Sequence, residues 1–131
     1  MLGTLSVSSI ERDYEINAPI EKVWRALTDA EVMSRWSGEL AQSDLREGGE
    51  FSLWGGDIHG VYTKLNPNQM IEQDWYGHDN PEWKYTVSFS FSSDGNGTKV
   101  HMIYSGNILD EQKDSADWQD YYFNPIKKIL E

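Results

Sequence analysis

Three histidines, His59, His78 and His101, have the side chains best suited to general-base or metal chemistry near neutral pH. If His59 and His101 met Asp57 or Asp74, they would make a metal site or a base oriented by a carboxylate. Strand alternation argues for a plainer reading. His101 takes the polar parity of "TKVHMIYSG", and His78 lies in the polar turn "GHDNPE". Surface histidines and no metal are therefore expected. Glu72 and Asp74 take the outward parity of "MIEQDWY", where solvated charge is simpler than paired acid–base work. The sequence contains no nucleophile elbow, P-loop, dinucleotide fingerprint or HExxH pair. No catalytic residue, enzyme activity or cofactor is expected. Only Tyr104 stands at inward parity as an acid that a cyclase or hydrolase would need.

The aromatic residues offer a different chemistry. Trp36, Trp75, Tyr85, Tyr104, Trp118 and Tyr122 all project toward the expected interior, and core packing explains any one of them. As a set they resemble a pocket wall, because buried tyrosine hydroxyls and indole N–H groups need partners that a ligand or water can supply. Gln73 adds a polar side chain at inward parity, and Phe51 and Met102 share the same faces. Together these nine residues are the candidate site for a small apolar or aromatic molecule. The acids between Asp110 and Asp120, Asp114 and Asp117 among them, sit most simply on the exposed face of a helix. A docking patch that steers a basic partner is the alternative.

The elements that must position these groups are legible from spacing. "IERDYEI" alternates as a strand, with Ile10, Tyr14 and Ile16 on one face. "NAPIEKVWRALTDA" reads as a helix capped at Asn17 or Ala18, with Pro19 in the first turn, and Trp24 on its stripe is assigned to structure. A second short helix, "AEVMSRW", follows and ends near Gly38. Five strands joined by turn sequences come next: "EFSLW", "DIHGVYTKL", "MIEQDWY", "WKYTVSFSF" and "TKVHMIYSG". In the fourth, Trp83, Tyr85, Val87, Phe89 and Phe91 alternate with polar residues, while "DIHGVYTKL" carries apolar groups on both faces. The last segment, from about Asp110, is acidic at its start and basic at Lys127 and Lys128, which suits the helix dipole. Its expected stripe is Trp118, Tyr121, Tyr122, Ile126, Ile129 and Leu130. Pro125 withholds a hydrogen bond from the Tyr121 carbonyl and should kink the helix there.

An antiparallel meander with one apolar face needs a cover, and this helix is the apolar element left to supply it. The sheet should curl around the helix and leave a cavity that the two short helices lid. The expected class is α+β, ordered β-α-α-β5-α, as one domain over residues 1–131.

Charge and composition bound the partners. A formal net charge of -11 argues against nucleic acid and anionic membranes, whose binding needs Lys and Arg. No cysteine is present, so disulfide and thiolate chemistry is excluded. "MLGTLSVSSIERDYEI" has no basic stretch followed by an apolar one, and no apolar run approaches the ~20 residues that span a bilayer. A soluble, cytoplasmic protein is the expectation.

The order strand, two helices, meander, long C-terminal helix resembles the helix-grip, START-like superfamily, which includes the birch-pollen allergen fold. Within it, "NAPIEKVWRALTDAEVMSRWSG", "GGEFSLWGGDIHGVYTKLNPNQMIEQDWY" and "DWQDYYFNPIKKIL" resemble the C-terminal domain of the activator of heat-shock protein 90 ATPase and its single-domain homologues, over about Ile10 to Leu130. The resemblance implies heat-shock protein 90 as a partner and a co-chaperone-like role. It also implies that a further N-terminal domain supplies most ATPase stimulation in the eukaryotic activators. Where many single-domain homologues carry a histidine before the Ser-Gly of the last strand, this chain has Tyr104.

Overall fold

The computed structural model describes residues 8–77 and 84–131. The expected positions of His78 and Trp83 lie outside the described residues. β1 (Ser8–Ile16) leads into α1 (Ile20–Thr28) and α2 (Ala30–Ser37). Six strands follow: β2 (Gln42–Ser43), β3 (Glu50–Leu53), β4 (Ile58–Asn66), β5 (Met70–Gly77), β6 (Lys84–Asp94) and β7 (Gly97–Gly106). The chain ends in α3 (Glu111–Asp117), a π segment (Trp118–Phe123) and α4 (Asn124–Leu130), joined end to end. The strands form one antiparallel sheet in the order β1-β7-β6-β5-β4-β3-β2, curved around the C-terminal helix in a helix-grip, α+β fold. β2 is an addition to the expected set. Two residues, paired Gln42↔Ser52 and Ser43↔Phe51, are too few for alternation to show.

Strand parity places the core. Tyr85, Val87, Phe89 and Phe91 of β6 are buried, as are Ile71, Gln73 and Trp75 of β5 and Val100, Met102 and Tyr104 of β7. In β4 the inward residues are Gly60 and Tyr62, and a bulge between Tyr62 and Lys64 resets the register beyond them. Gly60 is glycine because the Phe51 ring lies over it: an added Cβ would stand 2.6 Å from Phe51 Cζ and against the Asp74 carbonyl oxygen.

Caps define the helices. Pro19 occupies the N-cap of α1 rather than its first turn, its carbonyl accepting from the backbone N–H groups of Lys22 and Val23. Asp29 ends α1 and caps α2, accepting on Oδ1 from the Glu31 N–H at 2.9 Å. Asp110 caps α3 by accepting from the Lys113 N–H.

The C-terminal helix departs from the expected kink. Pro125 has no N–H to offer the Tyr121 carbonyl, and the Asn124 N–H reaches back five residues to Gln119, closing a π turn. The wider turn holds one extra residue and rotates the residues beyond it. Tyr121, expected in the apolar stripe, is 64% exposed, and Phe123 is fully buried. Phe123 stacks on Tyr14 of β1 at 3.8 Å and 10°.

The interior between sheet and helix is filled. Phe51, Val100 and Met102, expected to line a cavity, are 2%, 0% and 0% exposed and sit in the packed core of the described residues. The helix pair, expected as a lid, packs on the sheet and on the C-terminal helix. α1 packs on β6, β7 and α4, and α2 packs on β2, β3 and α4.

Candidate functional site

An open space borders the aromatic core where α3 and the π segment meet the ends of β5 and β7. It is a cleft of about 570 Å³. Trp75 comes from β5 and Tyr104 from β7, both by inward parity. Trp118, Tyr121 and Tyr122 come from the π segment, and Lys113, Asp114 and Asp117 from α3. The opposite wall is the turn after β3, with Trp54, Asp57 and Ile58, and Glu39 just beyond α2.

Trp54 has a sequence signal that alternation hides. Parity along β3 sends it outward, but the chain turns at Trp54 itself: φ is 53° there, then 67° and 95° at Gly55 and Gly56. A bulky residue at positive φ is held by its surroundings. Here the indole packs edge-on to Trp36 (6.2 Å, 84°) and Trp75 (6.4 Å, 69°). A tryptophan directly before Gly-Gly was the available clue.

The floor is continuous. Trp75 lies 5.0 Å from Trp118, Trp118 lies 4.9 Å from Tyr122 and 5.3 Å from Tyr104. Of the nine expected ligand residues, Trp75, Tyr104, Trp118 and Tyr122 border the cleft. Trp36, Phe51, Gln73, Tyr85 and Met102 are packed behind it. Their polar atoms are already used: the Trp36 indole donates to the Ala26 carbonyl, the Trp75 indole to Gln73 Oε1, and the Tyr85 hydroxyl to the Asn107 carbonyl, each at 2.7 Å. Among the described residues, only the Thr63 hydroxyl is a fully buried side-chain polar atom without a hydrogen bond. Trp118 borders the cleft, and its indole N–H has no hydrogen-bond partner among the described residues.

The rim is acidic. Glu39, Asp57, Asp114 and Asp117 border the cleft with one cation, Lys113, whose Nζ is 2.8 Å from Asp117 Oδ2. The expected docking acids Asp114 and Asp117 and the aromatic set thus meet at one place. Burial pushes the Asp114 carboxyl above its ordinary value, Lys113 opposes this, and Asp117 and Asp110 add to it. Burial also pushes the Tyr104 hydroxyl far up, with Tyr85, stacked on it at 4.7 Å, adding to the effect. At neutral pH Tyr104 is a neutral phenol: a hydrogen-bond donor, and no base.

The other candidates stay apart. His59 faces outward and stacks on Tyr76 at 5.8 Å. His101 lies across the sheet, 2.6 Å from Asp13 Oδ1 and 3.1 Å from Glu11 Oε2. Glu72 and Asp74 pair at 3.9 Å with Lys64 and Lys84 on the solvated face. No three acid or histidine side chains among the described residues are grouped to hold a metal ion.

Residues 17–131 match the family model described as Activator of Hsp90 ATPase homolog 1-like protein. The chain belongs to this family. It is 30% identical over 130 residues to the uncharacterized protein C1711.08 of Schizosaccharomyces pombe, covering 98% of this chain and 39% of that one. The human activator of 90 kDa heat shock protein ATPase homolog 1 is 27% identical over 112 residues, 84% of this chain and 33% of its own length. The chain therefore spans roughly a third of these curated relatives. Among solved structures, an HSP90 activator from Plasmodium falciparum superposes with a TM-score of 0.83 at 29% identity, covering 93% of this chain and 95% of that one. The Aha1 dimer from Colwellia psychrerythraea shares the fold, with a TM-score of 0.78 at 21% identity over 95% of this chain and 96% of that one.

Proposed function

We propose that this member of the activator family is a non-enzymatic binding domain whose cleft takes a small molecule with an apolar or aromatic body. One observation carries the reading: a cleft of about 570 Å³ with a floor of Trp75, Trp118, Tyr122 and Tyr104 and Trp54 on its opposite wall. That volume lies within the ~300–1,000 Å³ of ordinary ligand pockets. Trp118 at the cleft, whose N–H has no partner among the described residues, supports a ligand with an acceptor. The neutral Tyr104 hydroxyl supports binding over acid–base chemistry. A cytoplasmic setting belongs to the same reading. Among the described residues no helix is long and apolar enough to cross a membrane.

The test is an amide chemical-shift titration with 2-naphthylmethanol, a neutral bicyclic probe. Saturable shifts around Trp54, Trp75 and Trp118, lost in Ile58→Trp, are expected. Absence of shifts up to the solubility limit, or the same shifts in Ile58→Trp, refutes the reading. Filling substitutions at Val100 or Met102 are unsuitable, because both are fully buried in a packed core.

A second reading is favoured by the relatives' names and by Asp114 and Asp117 at the rim: contact with the 90-kDa heat-shock chaperone, modulating its ATPase. A shift map recorded with the host's own chaperone at low salt tests it. Shifts on the α3 face that weaken with salt and vanish in Asp114→Lys/Asp117→Lys are expected. No shifts at high chaperone concentration would sink it.

A further inference from the structure

We infer that the cleft selects an uncharged aromatic carbonyl compound, whose flat ring lies against the tryptophans and whose carbonyl oxygen accepts a hydrogen bond from the Trp118 indole N–H. This rests on the reading of the cleft as a ligand site, and adds the acceptor its occupant carries and the charge it lacks.

Trp118 supplies the acceptor requirement. It is 6% exposed and borders the cleft. The rings of Trp75, Phe89, Tyr104, Tyr122 and Phe123 stand around it, their centroids between 4.9 Å and 6.3 Å away. An indole N–H donates and never accepts, and a buried one ordinarily finds an acceptor. The Trp36 and Trp75 indoles do so at 2.7 Å, on the Ala26 carbonyl and on Gln73 Oε1. The Trp118 N–H makes no hydrogen bond among the described residues, yet its nitrogen is not sealed. Among those residues the Thr63 hydroxyl is the only fully covered side-chain polar atom without a partner. With aromatic rings on the core side, the cleft is the direction from which an acceptor can reach the Trp118 nitrogen.

The rim narrows the kind of acceptor. Carboxylate and phosphate oxygens accept most strongly. Glu39, Asp57, Asp114 and Asp117 border the same space, however, and the one cation lining it among the described residues, Lys113, has its Nζ 2.8 Å from Asp117 Oδ2. An anion would enter against four carboxylates and find the lysine already paired. A carbonyl oxygen accepts without carrying charge. Conjugated to a ring, it lies in the plane of that ring, at its edge. The oxygen can then meet an N–H while the ring face keeps its contact with an indole such as Trp75 or Trp54.

Three probes separate the acceptor from the ring and from charge: 1-indanone, its parent hydrocarbon indane, and indane-1-carboxylate. Each is titrated into the full chain in about 20 mM salt, where charge effects are least screened, and followed by amide and indole N–H shifts. The Trp118 indole proton, assigned through its contacts to Tyr104 and Tyr122, is expected to move downfield with 1-indanone and to stay nearly in place with indane. Trp118→Phe keeps a ring and removes the donor, so the affinity of indanone relative to indane should fall about fivefold in that variant. The carboxylate should bind more weakly than indanone. Equal movement of the Trp118 proton with indanone and indane, or an unchanged affinity ratio in the variant, overturns the inference and leaves the cleft reading standing. Tightest binding by the carboxylate, or silence of indanone where 2-naphthylmethanol binds, does the same. If none of these probes and not 2-naphthylmethanol binds, the cleft reading falls as well. Should Trp118→Phe fail to fold, the indole proton of the wild-type chain decides alone.

Discussion

Replacing Phe123 by alanine and, separately, Tyr121 by alanine sets the π segment against a straight helix. In a continuous α-helix Tyr121 joins the stripe of Trp118 and Tyr122, and its loss should damage the core. With the π turn, Phe123 takes that place, fully buried and in ring contact with Tyr14, Phe89, Trp118 and Tyr122. Deleting a buried phenylalanine ring costs about 3–5 kcal/mol. For 131 residues, an unfolding entropy of roughly 2.1 cal/mol/K per residue converts this to a fall of about 11–18 °C in Tm. Tyr121 is 64% exposed, so its truncation should change stability by no more than about 0.5 kcal/mol, under ~2 °C. Scanning calorimetry, with urea unfolding to confirm an unchanged m-value, reads both numbers. If Tyr121→Ala is the more damaging substitution, the assignment of inward and outward faces around Pro125 is wrong.

Three further outcomes are expected. Gly60→Ala should lower stability by about 1–3 kcal/mol, because its Cβ has nowhere to go between the Phe51 ring and the Asp74 carbonyl; an unchanged or higher Tm contradicts the packing. The hydrogen bond between His101 and Asp13 holds the histidine above its ordinary 6.5 and the aspartate below 3.8. A raised histidine stabilises fully below pH 6.5 and loses this as pH rises through its folded value; a lowered aspartate stabilises above pH 3.8 and loses this as pH falls through its own. The Tm gap between wild type and His101→Asn should therefore be widest between those values and narrow toward pH 9; a constant gap refutes the pairing. The raised Asp114 carboxyl has the opposite sign, destabilising when ionised, so Asp114→Asn should gain in Tm over wild type as pH rises from 3 to 7.

Parity made much of the fold legible. Period-2 alternation in "WKYTVSFSF" and "TKVHMIYSG" identified which side chains face inward, and Tyr85, Phe89, Met102 and Tyr104 are all buried there. It did not say how full the inside is. Phe51 and Met102 point where a ligand would lie, yet other side chains occupy the space, because packing depends on how far the sheet curls and alternation carries no curvature. Pro125 announced a disturbance in the helix, but whether a missing N–H produces a kink or a π turn is decided by what the rotated residues gain. Here it is the stacking of Phe123 on Tyr14, a residue more than a hundred positions away. Trp54 was hidden because its direction is set by three consecutive positive-φ residues, which break the strand rule one position early. The acids at Asp114 and Asp117 were visible as a cluster, while their place on the aromatic cleft depends on where α3 crosses β5 and β7.

The sheet order also carries a consequence in time. β7 lies between β1 and β6, so the strand made first can pair only with the strand made last, from Ser8↔Gly106 to Ile16↔Thr98. At the usual ~5–20 residues per second, β1 waits on a ribosome about 5–20 s for its neighbour, with its backbone groups unpaired. During that interval Glu11, Arg12, Asp13 and Glu15 crowd the strand with charge, which discourages it from joining a copy of itself. The same four residues that look like ordinary surface in the finished domain keep its earliest strand single until β7 arrives.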